Sequence, residues 1–294
     1  MALQPYVGPL GRLWHYGLRA FVGAVLLFLV LPVFAIVPLS FNAEPYFSYP
    51  MPGLSLRWYR DIAENPQWGI AIRNSIIVGF FATVFATALG TVAALGLSKS
   101  KLPLRGLIMG VLISPMIVPL VITGVGVYFF FSDPIGYATL GLFSSEWKLT
   151  QSLFGIVLAH TALGTPFVVI TVTATLVGFD RTLTRAAACM GADPVQCFFK
   201  VTLPLVLPGV ISGALFAFVT SFDEVVVILF LAGVEERTIP RQMWTGLREQ
   251  ISPTILAVAT ILVVVSVALL TVIELLRRRN ERLRGIRPSL PVIP

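Results

Sequence analysis

Few residues in this 294-residue chain could do chemistry, because 12% of it is charged and 56% hydrophobic. Asp223 and Glu224 stand side by side at the end of an uncharged run that begins after Lys200. An intramembrane carboxylate costs about 2.5–3.5 kcal/mol on insertion scales, so such a pair must face protein or water and find a partner. A cationic solute passing through would be one such partner; an arginine or backbone donors would serve equally if the pair is structural. Adjacent helical residues point about 100° apart, so both acids share one cavity only where the helix is broken. Otherwise one faces a lumen and the other a neighbouring helix, and Asp223 is favoured as the pathway acid. Tyr128, Phe129, Phe130, Phe131, Phe222 and Trp244 could offer ring faces to an ammonium group or anchor span ends at the interface. Tyr128 and Phe222 join Asp223 and Glu224 as candidate pathway residues. His160, inside another uncharged run, could relay protons or bridge helices by a hydrogen bond. No serine triad, paired-carboxylate hydrolase site or metal-binding spacing accompanies it. The phosphate loop G-x-x-x-x-G-K-[ST] is absent from the sequence, so nucleotide chemistry would have to come from another polypeptide. These residues read as a transport path with no catalytic or cofactor site of its own.

The elements that must position them are long and apolar. Mean hydropathy is +0.89, and a chain with so few charges cannot cover a soluble core with a polar shell. The net charge of +7 is scattered between uncharged runs, without the patch that a nucleic-acid partner would require. Uncharged runs of 24, 25, 27, 31, 22 and 24 residues begin after Arg19, Arg73, Arg105, Lys148, Lys200 and Glu249. A helix needs about 20 apolar residues to cross a hydrocarbon core, so each run can span it. The runs are continuously apolar, which excludes the alternating strands of a barrel. The expected fold is an all-α membrane protein with six transmembrane helices.

An even number of spans places both termini on one side. With cytoplasmic termini, 14 basic residues lie inside and seven outside, which satisfies the positive-inside rule. The first apolar run is longer than a secretory h-region and no small-residue cleavage site follows it, so it reads as an uncleaved span. The expected organisation is a cytoplasmic segment over 1–19, a six-span domain over 20–276 and a basic cytoplasmic tail over 277–294 that meets anionic headgroups. Cys189 and Cys197 fall on the reducing side and match no zinc or redox spacing, so both are expected as free thiols.

Two features go beyond anchoring. Pro115, Pro119, Pro166, Pro204 and Pro208 each free a backbone carbonyl within a span, which is tolerable at membrane depth beside a packed neighbour or a wet cavity. Gly90, Gly124, Gly126, Gly155, Gly164 and Gly213 allow close helix approach. Between the fourth and fifth spans, Asp180 to Leu203 forms a polar loop. Its alanine-rich first half should be a short helix stopped by Gly191, and Asp193-Pro194-Val195-Gln196 supplies an N-cap, a first-turn proline and a capping-box partner for a second. The loop thus folds as a helical elbow, either seated in a groove of another protein through Leu183 and Met190 or lying on the membrane surface.

Arg185-Ala186-Ala187, then Gly191, then nine residues before Val201-Thr202-Leu203-Pro204, resembles the cytoplasmic EAA loop of ABC-importer permeases. The spacing is intact, but Arg185 stands where that motif has Glu, and Val201 where it has Ile. From about Leu54 to Leu270, Pro52-Gly-Leu-Ser-Leu-Arg-Trp-Tyr59, Arg73-Asn-Ser75 and Ser221-Phe-Asp-Glu-Val-Val-Val227 resemble the spermidine/putrescine-type permeases, specifically the second of their paired membrane subunits. The resemblance implies a type I ABC importer permease fold in a bacterial inner membrane. It implies a homologous permease partner, two ATPase subunits that hold ATP and magnesium, and an extracytoplasmic substrate-binding protein. ATPase coupling would fall to Arg185, Ala186, Ala187, Gly191, Leu203 and Pro204. Relatives for other organic amines, opines or phosphonates keep the substrate open, and a proton-coupled carrier using His160 and Asp223 is the reading from another class.

Overall fold

The computed structural model describes residues 8–98, 102–132, 149–249 and 251–283. In chain order the helices are α1 (Pro9–Leu39), α2 (Arg57–Glu64), α3 (Pro66–Leu97), α4 (Arg105–Ile117), α5 (Leu120–Ser132), α6 (Leu153–Val177), α7 (Thr182–Cys189), α8 (Pro194–Cys197), α9 (Leu203–Asp223), α10 (Val226–Leu231), α11 (Ile239–Glu249) and α12 (Pro253–Leu283). A π-helical turn, Phe198–Thr202, joins α8 to α9. Every uncharged run lands on a helical segment. α1, α3, α6 and the continuous helix Pro194–Asp223 are long and apolar enough to cross a membrane. The third run is broken into α4 and α5, which meet at 105°, and the sixth opens α12 with the apolar stretch Pro253–Ala268.

The chain divides into two compact units. In the unit formed by 1–65 and 246–294, α1 buries none of its residues within the fold. The loop after α1 is fixed by Trp58, whose indole N–H donates to the Asn42 carbonyl at 2.7 Å, and by a 2.7 Å hydrogen bond between Ser40 and Tyr59. Thr254 donates to Asp61 at 2.8 Å and ties α12 to α2.

The unit formed by 66–245 holds the packed bundle, built on α3, α6 and α9. Lipid gives little hydrophobic drive for helix association, so small residues that let backbones touch must supply it. Gly209, Gly213, Ala217 and Ser221 recur every fourth position along α9, on one helical face. They meet α6 in antiparallel register: a Cβ added to Gly213 would lie 2.8 Å from Val168 Cα, and one added to Gly164 would lie 3.0 Å from Ala217 Cβ. Ala86, Ala94, Val168, Val172 and Ala217 form the buried cluster between the three helices. Gly126 has nothing within 4 Å, so the expected close approach does not occur there. Thr161, Thr165, Thr171 and Thr175 return their hydroxyl protons to carbonyls four positions back, which satisfies them without water. At the other end of α3, Asn74 donates to the carbonyls of Glu235 and Arg237, and Ser75 accepts from Ile239 N at 2.8 Å. Asn74 and Ser75 therefore clasp the segment that follows α10.

Candidate functional site: a helical elbow and an acidic helix break

The elbow is assembled almost wholly from neighbours in sequence. Asp180 accepts from Thr182 N and from the Thr182 hydroxyl, both at 2.8 Å, and so starts α7. These bonds favour the ionised carboxylate and hold Asp180 below the usual aspartate range. At the far end Gly191 takes a φ of +86°. Gly191 N donates to Ala188 O at 3.0 Å and Ala192 N to Ala187 O at 3.1 Å, the paired bonds of a Schellman stop. A Cβ at Gly191 would meet nothing, so backbone conformation, not space, demands glycine here. Asp193 accepts from Gln196 N at 2.7 Å and Pro194 occupies the first turn, as the cap sequence predicts.

The second arm of the elbow differs from an independent helix. α8, the π-helical turn and α9 run on as one 30-residue helix, Pro194–Asp223. The widened turn has a local cause. Pro204 cannot donate and its ring crowds the carbonyl four residues back, so the helix loosens by one residue ahead of it and Leu203 N bonds to Phe198 O. Arg185, Ala186 and Gly191 lie exposed on the elbow, Ala187 and Leu203 are half-buried, and Pro204 is exposed. Met190 is 89% exposed, with Leu183, Val195 and Phe199 also exposed beside it. Arg181 donates to the Ser98 carbonyl and fastens the elbow to the end of α3. Cys189 and Cys197 are free thiols, and Cys197 leans on the Thr184 and Ala192 carbonyls.

At the opposite end of the same long helix, the chain breaks between Asp223 and Val226. Glu224 is 6% exposed, and its two carboxylate oxygens accept from Val226 N and Val227 N, each at 2.9 Å. It is the acceptor that starts α10. Asp223 is exposed, one position before it. Because the helix is broken, both acids line one pocket of about 340 Å³, with Leu120, Val219, Thr220 and Val226. Leu120 comes from a second break. Val118, forced to an extended ψ of 134° by Pro119, separates α4 from α5. α5 then packs on α10, where a Cβ at Gly124 would sit 2.7 Å from the Phe230 ring.

His160 is buried and shares a 2.9 Å hydrogen bond between Nδ1 and Ser221 Oγ, so it bridges α6 and α9. Its Nε2 lies 3.9 Å from Glu224 Oε2, too long for a direct hydrogen bond. Phe222 does not line the acidic pocket. It stacks on Phe218 at 5.4 Å, and both rings pack on Gly79 of α3. Tyr128 is 40% exposed and sits two turns beyond Leu120 on α5, also outside that pocket. No local pattern marks Leu120 or Thr220 as pocket residues, although the Val118-Pro119 step signals a break just before the first.

Residues 86–282 match the family of binding-protein-dependent transport system inner membrane components. The chain is 31% identical over 263 residues to the spermidine/putrescine transport system permease protein PotC of Haemophilus influenzae, covering 90% of this chain and 97% of that protein. It is 30% identical over 267 residues to the putrescine transport system permease protein PotI of Escherichia coli K12, covering 88% and 91%. Among solved structures, a bacterial ABC transporter involved in the import of the acidic polysaccharide alginate superposes with a TM-score of 0.70 at 17% identity, over 92% of this chain and 99% of that one. With its matched segment spanning both the elbow and the acidic break, the chain belongs to the binding-protein-dependent transport system inner membrane component family and has the fold of an ABC importer permease.

Proposed function

We propose that this permease forms half of a translocation path for a polyamine and takes its driving force from ATPase subunits docked on the elbow. The observation that carries the substrate reading is Asp223, an exposed carboxylate in a pocket where two helices break. Such a carboxylate needs a cationic partner, and an ammonium group in transit supplies one. The similarity to PotC and PotI supports the same class of substrate. Glu224, spent on the start of α10, has a positioning role: it keeps the break open so that Asp223 faces the pocket.

Coupling follows from continuity. The 30-residue helix from Pro194 to Asp223 is about 45 Å long at 1.5 Å per residue, so a displacement of the elbow reaches the acidic break through one continuous element. Arg185, Ala186, Ala187 and Gly191 form the face that the ATPase grips, while Leu203 and Pro204 set the joint behind it. In this reading ATP and magnesium are held by the ATPase subunits, an extracytoplasmic binding protein delivers the amine, and a homologous permease completes the path. The elbow, the N-terminal 1–19 and the basic 277–294 face the cytoplasm of a bacterial cell.

The test is uptake of putrescine by the assembled importer in proteoliposomes loaded with ATP. Loss of one charge-assisted contact is expected to slow uptake by Asp223→Asn about tenfold, with ATPase subunits still retained on purification. Unchanged uptake removes Asp223 from the path.

A further inference from the structure

A second pocket, of about 260 Å³, lies at the elbow end of the bundle and has the opposite charge character. Ser98 just past α3, Arg105 at the start of α4, Thr173 and Leu176 near the end of α6, and Phe179 and Arg181 between α6 and α7 line it. We propose that it holds the phosphodiester headgroup of an anionic phospholipid of the elbow-side leaflet.

Three observations point to an anion with several acceptor oxygens. Arg181 is pinned across the cavity by its hydrogen bond to the Ser98 carbonyl. Arg105 is exposed and makes no hydrogen bond or ion pair among the described residues. The Thr173 hydroxyl is shielded from solvent and has no hydrogen-bond partner among the described residues. A buried hydroxyl is ordinarily paired, and two guanidinium groups beside it supply donors that match a phosphate. Among the described residues no carboxylate lines the cavity, and Asp180, adjacent to Arg181 in sequence, is engaged by Thr182.

The flanking surface selects a lipid over a free anion. Leu107 and Val111, each 63% exposed, lie one turn apart on α4, and Leu104, 72% exposed, precedes Arg105 at the helix's N-cap. These apolar side chains lead away from the cavity along an apolar helix, where acyl chains of a lipid whose headgroup entered the cavity would lie. Inorganic phosphate would use the cations and leave these side chains unused.

The complete importer, assembled with its ATPase subunits in nanodiscs of mixed phosphatidylcholine and phosphatidylglycerol, is released and its retained lipids are counted by native mass spectrometry. The wild type is expected to retain phosphatidylglycerol selectively. Arg105→Gln lowers that retention about fivefold, the worth of one basic contact to an anionic headgroup. Thr173→Leu, which fills the cavity and leaves both arginines, lowers it as well, while Thr173→Ser retains it and shows that the bundle is intact. Equal retention in wild type, Arg105→Gln and Thr173→Leu overturns the proposal. Displacement of the lipid by millimolar inorganic phosphate overturns it in favour of a free-anion site. Loss of ATPase subunits from Arg105→Gln with lipid retention unchanged overturns it in favour of a protein contact.

Discussion

At the elbow, Asp180 answers to Thr182, Gly191 to Ala188 and Asp193 to Gln196, all within a few positions along the chain. At the acidic break, His160 answers to Ser221 and Leu120 faces Asp223 and Glu224 across a pocket, each over a distance in sequence that no local pattern encodes. The two regions are ends of one helix, Pro194–Asp223. One is stabilised by turn and cap chemistry, the other by tertiary packing of two interrupted spans. Variants in the two places should therefore fail differently, the elbow losing its ATPase and the break losing transport.

The largest effect is expected from Gly191→Val. The left-handed conformation costs a non-glycine residue about 1–2 kcal/mol, and β-branching adds to it. The Schellman bonds would be traded for an α7 that runs on in another direction. ATPase retention on co-purification should fall about tenfold or more, while the chain still inserts in the membrane. Retention equal to wild type would mean that the elbow's grip does not depend on where α7 stops.

Glu224→Ala should come next and should reverse the pattern. It leaves Val226 N and Val227 N without their acceptors in a buried place, a cost of about 2 kcal/mol. Putrescine uptake should fall roughly tenfold with ATPase retention intact, and Glu224→Gln, which keeps one acceptor oxygen, should fall less. If Glu224→Gln proved as damaging as Glu224→Ala, the charge and not the cap would be the working property of Glu224, and the division of labour with Asp223 would have to be redrawn.

The same contrast explains what the sequence made legible. Spans follow from solvent chemistry alone, so six uncharged runs were enough to locate the six apolar segments. The elbow was legible to the residue because Asp193-Pro194-Val195-Gln196 and Gly191 carry their function in their own backbone preferences. The acidic pair was visible as a cost, and the need for a broken helix followed from the 100° step, but which acid faces outward did not. That depends on Val226 and Val227 presenting their N–H groups to Glu224, which no periodicity reveals. Tyr128 and Phe222 lie outside the acidic pocket for a related reason. Aromatic type says nothing about face, and Phe222 is drawn to Phe218 and the flat surface of Gly79. Val118-Pro119 signalled a kink, but its 105° size reflects packing of α5 on α10.

The smallest effect tests whether the elbow is as local as its hydrogen bonds suggest. Asp180 is fully exposed and its carboxyl is held below the usual aspartate range by the Thr182 backbone and hydroxyl donors. A lowered folded-state value means that ionised Asp180 contributes to α7 at any pH above the ordinary aspartate range. That contribution fades as acid carries the pH down through the lowered value. Between neutral and mildly acidic pH, ATPase retention should therefore not change on account of this residue. Asn closes the same side-chain turn onto the backbone N–H two residues on, so Asp180→Asn should alter retention at neutral pH by less than about twofold. In strong acid, wild-type α7 should lose this turn contact while Asp180→Asn keeps its neutral one, so the acid limb of a retention profile should flatten in the variant. A large loss at neutral pH would instead mean that the Asp180 charge is read by something beyond Thr182, and the elbow would then share the long-range construction of the acidic break.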